Sequence, residues 1–487
     1  MTFTSPIFLF LFLPVVLALY FLVGSKWRNW FLILSSAIFY VFQDLNGIFL
    51  LLFVISANYV LGIHIAKFRD SSLPLIFLWV GIAINIGVLA WFKYDRLIVH
   101  ILNEMLAPAN LSLTPIQWHA SPLGISFFTL TAVSYLIDVY REETEPLRDF
   151  RGLALFLSLF PKISAGPIVR YADIADEISR RTVDLERFAY GIKRFVLGLG
   201  KKVLIADTLA ITADQIFGIP TKELTTGVAW LGVATYTLQI YYDFSGYTDM
   251  AIGLGHMFGF KFVENFDYPY ISRSLTEFWR RWHISLSTWL RDYLFLPLSH
   301  ALMTKSVRRR ISLGRYKTNY RGMLSIVIVF TLCGLWHGVG KKYVVWGVLH
   351  GIVLAVESAW LTRVMRKWWT PLQHVYFLVI IMVTWVFFRS STLMDALGYL
   401  GAIAGLSGNT VPYYNLRMYF NASLWLALLF GVMFSLPISR NLATYFSKER
   451  YPQLVPAMEV VGLTIIIVLC YVTIASSTYE PFIYQQF

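Results

Sequence analysis

The sequence predicts an all-α, polytopic membrane protein that forms one domain over residues 1–487. Only 14% of the residues are charged and 57% are hydrophobic, whereas average soluble domains carry about 25% charged residues. Long apolar runs also recur along the chain, and about 20 apolar residues suffice for a helix to cross a bilayer. Lipid must therefore cover much of the surface, so we expect the bilayer to be a partner of this chain.

The charge balance is basic, with 41 Lys and Arg against 28 Asp and Glu, a formal charge of +13. In membrane proteins such an excess collects in cytoplasmic loops, so we expect no nucleic-acid partner. Lys26 and Arg28 follow the first apolar run, which has no cleavage pattern and is predicted to be a retained span. Cys333 and Cys470 lie in apolar stretches, which favours small buried residues over a disulfide or a metal site.

The candidate spans follow one another along most of the chain. The clear ones are residues 7–23, 30–42, 48–63, 73–92, 228–241, 323–335, 344–359, 375–388, 424–436 and 460–474. The less certain ones are residues 123–139, 153–167 and 195–210. Some of these segments are shorter than a bilayer requires, so the prediction is roughly ten to thirteen segments, of which not all cross.

The middle third of the chain differs from its flanks. Residues 241–321 are polar, aromatic and rich in arginine. Such segments are tolerated at membrane depth only where they are buried in protein or line a wet cavity. We therefore predict re-entrant and interfacial helices here, and a basic cytoplasmic loop within residues 298–320.

Residues 277–293 are predicted to form one continuous helix in this middle region. On it, Trp279 and His283 share an apolar stripe at a spacing of four. Glu277 and Arg281 lie on a different stripe, where their four-residue spacing favours an ion pair. A histidine in that position fits a hydrogen-bonded core residue as well as a functional one.

A second histidine, His337, follows an apolar segment and lies between Trp336 and Gly338. Ionisable groups near membrane depth are costly and are kept for a function or satisfied by a partner. A neutral imidazole shielded from water can take a proton from a hydroxyl group near pH 7. This chemistry suits acyl transfer to a hydroxyl, although the local sequence equally allows packing, proton relay or transport.

The next predicted helix, residues 343–357, carries small residues that allow membrane helices to pack closely, Gly347 and Gly351. It also carries His350 and Glu357, which lie seven residues apart on one face. We expect His350 to make a hydrogen bond between helices, with Glu357 as the candidate partner.

Five motifs occur in order along residues 120–360. They are Tyr-Asp-Phe-Ser-Gly-Tyr-Thr-Asp at 242–249, Glu-Asn-Phe-Asp-Tyr-Pro-Tyr at 264–270, Phe-Trp-Arg-Arg-Trp-His-Ile-Ser at 278–285, Gly-Leu-Trp-His-Gly at 334–338 and Trp-Gly-Val-Leu-His-Gly at 346–351. This set resembles the membrane-bound O-acyltransferase family, and within it the bacterial branch that acetylates alginate.

The resemblance implies a fold of about eleven spans with re-entrant helices around a central tunnel. It implies an essential histidine at His337 and a second at His283. No bound cofactor is implied, and acetyl-CoA is the presumed cytoplasmic acyl donor. The acetyl group then passes across the inner membrane to an exported polysaccharide, with alginate favoured. Periplasmic esterase-like acetyltransferases and a polysaccharide synthesis and export complex are the implied partners.

Ten further residues in the motifs are candidates for lining the tunnel or binding the donor, and the arginines among them suit donor phosphates. They are Trp336, Trp279, Arg280, Arg281, Asp243, Ser245, Asp249, Asn265, Arg291 and His350.

Three alternatives remain open on the sequence. In the first alternative the acceptor is cellulose, peptidoglycan or another exopolysaccharide, or the reaction is D-alanine transfer to teichoic acid. A lipid or sterol acyltransferase is a second alternative. A flippase or transporter whose histidines relay protons is the third.

Overall fold

The computed structural model describes residues 1–109, 121–302, 320–407, 414–438 and 451–476. Within these ranges every regular element is a helix, as predicted. The described chain divides into two compact units, Met1–Phe195 with Tyr247–Val263 and Val196–Gly246 with Glu264–Ile483. Most of the basic stretch at 298–320 lies outside the described residues, so its position on the cytoplasmic side stays a prediction, as does the interpretation as a single domain.

The first unit is built from the N-terminal helices around an aromatic core. Phe8, Phe39 and Phe160 pack with ring centroids 5.6–6.4 Å apart. Its α-helices are Leu13–Leu22, Arg28–Val41, Gly47–Lys67, Leu73–Leu106, Ile125–Tyr140, Phe150–Ser158, Phe160–Ile163 and Tyr171–Ser179, with shorter turns at Phe8–Phe12, Ser25–Trp27 and Ala107–Ala109. Two long helices, Leu185–Gly200 and Thr226–Met257, contribute residues to both units.

The second unit contains both predicted histidine motifs. Its remaining α-helices are Asp207–Phe217, Leu275–Arg281, Ile284–Trp289, Leu296–Leu302, Tyr320–His337, Lys341–Val356, Thr362–Met365, Thr370–Arg389, Leu393–Ile403, Ala422–Ser435 and Leu454–Ser476. Between them lie π-helical turns at Lys201–Ala206, Leu290–Phe295 and Glu357–Leu361, and 3₁₀ turns at Pro269–Ile271 and Leu416–Met418. Cys333 and Cys470 are both buried, as predicted.

Six helices in the described chain are long and apolar enough to span a membrane. They are Gly47–Lys67, Leu73–Asp95, Tyr320–His337, Lys341–Met365, Thr370–Arg389 and Leu454–Ser476. Shorter apolar helices include Ile125–Tyr140 and Ala422–Ser435. The chain is therefore a multi-pass membrane protein, while the count of about eleven spans stays a prediction.

Candidate acyl-transfer site

Two helices carry His337 and His350. The first histidine helix is Tyr320–His337, and the second histidine helix is Lys341–Val356. They cross at Gly334 and Gly347, where a Cβ atom added to either glycine would lie 2.3 Å from a backbone carbonyl oxygen of the other helix. Only glycine permits this approach, since real Cβ atoms do not come so close. The predicted close packing through Gly347 is confirmed.

Aromatic rings surround His337, the last residue of the first histidine helix. Its imidazole meets Trp336, Trp346 and Phe388 edge to face, with ring centroids 4.8, 5.2 and 5.2 Å away. The side chain is 3% exposed. Edge-to-face packing on several sides fixes the plane of a ring, so His337 is held in one orientation and shielded from bulk water.

His350 lies one helical turn beyond Trp346 on the second histidine helix. The prediction that Glu357 is its hydrogen-bond partner is wrong. The Nδ1–H of His350 donates to the carbonyl oxygen of Trp346, 3.0 Å away in its own helix. Since a carbonyl only accepts, the lone pair of the neutral ring is on Nε2. The rings of Trp346 and Trp279 lie 4.4 and 5.7 Å from His350. His350 therefore joins the aromatic cluster around His337, and its hydrogen bond lies within its own helix rather than between helices.

The predicted continuous helix over residues 277–293 is wrong. The chain forms a broken helix, Leu275–Arg281 and Ile284–Trp289, interrupted at Trp282 and His283. His283 adopts a left-handed conformation with φ of +43°, which costs a non-glycine residue roughly 1–2 kcal/mol. Such a conformation persists only where the surrounding structure holds it.

Asn265 stabilises this conformation of His283 through hydrogen bonds. Its side-chain oxygen accepts hydrogen bonds from the backbone N–H and hydroxyl of Ser285, at 3.1 and 3.0 Å, and its backbone carbonyl accepts from Ile284 at 3.0 Å. The same side-chain oxygen lies 3.2 Å from Nδ1 of His283. Because that oxygen can only accept, Nδ1 carries the proton and Nε2 carries the lone pair.

The ring of His283 is buried and packs edge-on against Phe244, 4.7 Å away. His283 lies outside the six candidate spans. Burial lowers the pKa of His283 to about 3, so the imidazole is neutral at physiological pH. A neutral ring with one defined lone pair can accept a proton or a hydrogen bond from a reacting group.

The arginines of the broken helix differ in their neighbours. Arg281 pairs with Glu277, as predicted, at 3.0 Å, and with Asp267 at 2.9 Å. Arg291 pairs with its neighbour Asp292 at 2.6 Å. Arg280 is exposed and makes no ion pair with the described residues. Among the predicted phosphate ligands, Arg280 is thus the one whose charge is least compensated.

The polar candidates of the 242–249 motif belong to different units. Asp243 and Ser245 are buried in the second unit, where Asp243 pairs with Lys202 at 2.8 Å. Asp249 belongs to the first unit and pairs with Arg194 at 2.7 Å. Sequence reasoning missed Lys202, although a lysine inside the apolar segment 195–210 was the available signal.

Aromatic packing also relates the two histidine regions within the second unit. Trp282, next to His283, lies 5.2 Å from Trp385. Trp385 stacks on Trp346 at 6.4 Å, and Trp346 in turn contacts His337. The two predicted histidines therefore lie on one continuous aromatic cluster, although they are 54 residues apart in sequence (337 minus 283).

Comparison with known proteins assigns this chain to a family. Residues 125–394 match the membrane-bound O-acyltransferase family. The chain is 41% identical to the probable alginate O-acetylase AlgI of Pseudomonas putida over 404 residues, covering 83% of this chain and 80% of that protein. It is 42% identical to the protein of that name from Pseudomonas aeruginosa, covering 81% and 73%.

A more distant relative is named for a different activity. The peptidoglycan O-acetyltransferase of Helicobacter pylori is 33% identical over 443 residues, covering 83% of this chain and 80% of that protein. The chain belongs to the membrane-bound O-acyltransferase family, and it is an O-acyltransferase of the membrane.

Proposed function

We propose that this chain takes acetyl groups from acetyl-CoA on the cytoplasmic side of the inner membrane and passes them across for O-acetylation of an exported polysaccharide. Alginate is the acceptor that the names of the most similar relatives support. The peptidoglycan-modifying relative supports a second acceptor. The observation that carries the proposal is His337, buried in an aromatic cluster at a crossing of two helices.

In this proposal His337 acts as the general base, or it first accepts the acetyl group itself. As a base it takes the proton of the acceptor hydroxyl while that oxygen attacks the thioester carbonyl carbon. The C–S bond then breaks, and the departing thiolate of coenzyme A receives the proton. The surrounding rings exclude water, which protects the thioester or an acylated histidine from hydrolysis.

His283 orients the donor or stabilises the charge that develops on the carbonyl oxygen. The ring is held by Asn265 in a neutral form, which suits hydrogen bonding with a reacting group. Arg280 binds phosphate groups of the donor, because its exposed side chain makes no ion pair with the described residues. Asp249 and the other polar candidates stay predictions for tunnel-lining roles.

Periplasmic esterase-like acetyltransferases and a synthesis and export complex complete the proposed pathway. Labelled acetyl-CoA is supplied to the purified protein with its periplasmic partner, and acetyl transfer is followed in detergent. Transfer without a gradient would contradict the transporter alternative. The acetyl ester content of alginate and of peptidoglycan, measured with and without the gene, separates the two acceptors.

The His337→Ala variant tests the proposed base. Loss of a general base lowers rates by about 10²–10⁴-fold, so we expect labelled transfer to fall by that factor. His64→Ala is the matched control, because His64 belongs to the first unit and packs against Phe68 and Phe77. Transfer at the wild-type rate by a correctly inserted His337→Ala protein would remove this residue from the mechanism.

A further inference from the structure

Glu357 is a buried acid that the reaction described above does not use. It follows the second histidine helix and begins the π-helical turn Glu357–Leu361 within the candidate span Lys341–Met365. The side chain is 1% exposed. An acid buried within a span is costly and marks a function or a specific partner, so its surroundings are informative.

Four hydrogen-bond donors converge on this carboxylate. Oε1 accepts from the backbone N–H of Leu275 at 2.9 Å and from the hydroxyl of Tyr376 at 3.1 Å. Oε2 accepts from the backbone N–H and the hydroxyl of Thr276, at 2.8 and 2.6 Å. Donors of this number offset the cost of burying a carboxylate.

Two of these donors are the first N–H groups of the broken helix, Leu275–Arg281, which have no partner inside the helix. The third N–H group of the helix, that of Glu277, does not contact Glu357 and donates instead to the side-chain oxygen of Ser274, 3.0 Å away. The helix start is thus held by local contacts and by one distant contact. The local contacts are the cap from Ser274 and the carboxylate of Glu277, which accepts from the N–H of Arg273 at 3.0 Å. The distant contact is the carboxylate of Glu357, and only this one fixes where the broken helix lies relative to another element.

The broken helix carries side chains of the candidate site. Trp279 lies on it, with its ring 6.1 Å from Trp346 and 5.7 Å from His350 on the second histidine helix. Trp279 also packs on Phe330 of the first histidine helix at 4.9 Å. His283 lies in the break of this helix, between Trp282 and the second segment Ile284–Trp289.

We infer that Glu357 is a positioning residue of the acyl-transfer site. Its carboxylate ties the start of the broken helix to the end of the second histidine helix and so sets the placement of Trp279 and His283 relative to His337. This role rests on the proposed function, since it concerns the same reaction. Glu357 touches neither histidine by hydrogen bonding, so it acts through the helix that it holds.

The Glu357→Gln variant tests the inference while keeping the side-chain volume. One oxygen becomes an NH₂ group that faces one backbone N–H and one hydroxyl. The hydroxyl can rotate and accept from the NH₂ group, but the backbone N–H loses its acceptor, so one N–H at the start of the helix is left unsatisfied. Glu277→Gln is the matched control: it removes an acid from the broken helix itself, and this acid pairs with Arg281 and is part-exposed.

Three quantities are measured on the purified, full-length protein. They are folded yield with thermal stability, amide hydrogen exchange of residues 275–283, and kcat with KM for acetyl-CoA. For Glu357→Gln we expect a folded protein, at least tenfold faster exchange in residues 275–283, and kcat at least tenfold lower with KM changed less than threefold. Glu277→Gln is expected to change kcat less than threefold.

Thr276→Val supplies a milder variant, since it removes only the 2.6 Å hydroxyl bond to Glu357. We expect kcat about threefold lower, and no further loss when this change is added to Glu357→Gln, because residues that share one network are not additive. If Glu357→Gln does not fold, Thr276→Val decides on its own, and wild-type kcat and exchange in that variant would overturn the inference.

The outcomes separate this inference from the proposed function. If wild-type protein transfers no acetyl, the proposed function fails, and hydrogen exchange still reports whether Glu357 holds residues 275–283. If wild-type protein is active and folded Glu357→Gln retains its kcat, the inference is overturned. The same holds if only the folded yield falls, because a purely structural residue would leave kcat of the surviving protein unchanged.

Discussion

The two histidine regions of the second unit differ in the contacts that surround their imidazoles. In the broken helix the Nδ1–H of His283 donates a hydrogen bond to the side-chain oxygen of Asn265, and the backbone of His283 is left-handed. The first and second histidine helices hold His337 with aromatic rings at a crossing of glycines. Polar anchoring fixes which nitrogen carries the proton, whereas aromatic packing fixes ring orientation and excludes water. His283 therefore has a defined hydrogen-bonding state, whereas His337 has a fixed ring plane in a dry setting.

The glycine crossing is expected to be the least tolerant part of this arrangement. In Gly347→Ala the new Cβ atom would lie 2.3 Å from the backbone oxygen of Phe330, which cannot move aside as a flexible side chain can. We expect a loss of about 2 kcal/mol. The measurement is thermal stability in detergent together with the acetyl-transfer rate.

Gly401→Ala is the control for that substitution. Gly401 lies in helix Leu393–Ile403, and no described residue beyond its own stretch of helix has an atom within 4 Å of an added Cβ. Alanine there should therefore stabilise the helix by about 1 kcal/mol. The two alanine variants are expected to differ by about 3 kcal/mol. Equal stabilities would show that the helices around His337 adjust easily, contrary to the comparison.

Much of the glycine crossing could be predicted from the sequence, because small residues in apolar helices have a direct meaning for packing. The break at His283 could not. The spacing of Trp279 and His283 fits a continuous helix, and the residue that holds the break, Asn265, is 18 residues away in sequence. Tertiary hydrogen bonds therefore override a periodicity that is locally consistent.

The error over His350 and Glu357 has a similar origin. A spacing of seven places them on one face of a regular helix, but two helical turns separate them by roughly 10 Å along the axis, and the Nδ1–H of His350 already donates to the carbonyl of Trp346. The carboxylate of Glu357 meets the broken helix, 82 residues away at Leu275. The sequence signals an acid in an apolar segment, but not which donors it meets.

Polar anchoring of His283 is tested by Asn265→Ala. This change leaves the Nδ1–H of His283 and the N–H of Ser285 without their acceptor in a buried place. We expect a stability loss of about 2 kcal/mol and a fall in acetyl transfer, measured by melting in detergent and by labelled acetyl-CoA.

Asn421→Ala is the matched asparagine control. Asn421 accepts from Leu424 at 2.8 Å and caps helix Ala422–Ser435, which carries no histidine. Losing this cap costs about 1 kcal/mol and should leave the transfer rate unchanged. If both variants lose activity equally, the effect of Asn265 is general destabilisation, and polar anchoring of His283 is not supported.

The smallest expected effect is a pH dependence that arises from the neutral state of His283. Burial lowers its pKa to about 3 in the folded protein, against about 6.5 in an unfolded chain. Between these values the unfolded state binds more protons, so stability falls as the pH falls. The contribution is fully present above pH 6.5, and acidification from pH 6.5 to 5.5 removes about 1 kcal/mol. In His283→Gln, whose amide can still donate to Asn265, melting temperatures over this interval should fall less steeply than in the wild-type protein. Identical slopes would mean that the ring is protonated or exposed when folded, and its assignment as a neutral, polar-anchored imidazole would be wrong.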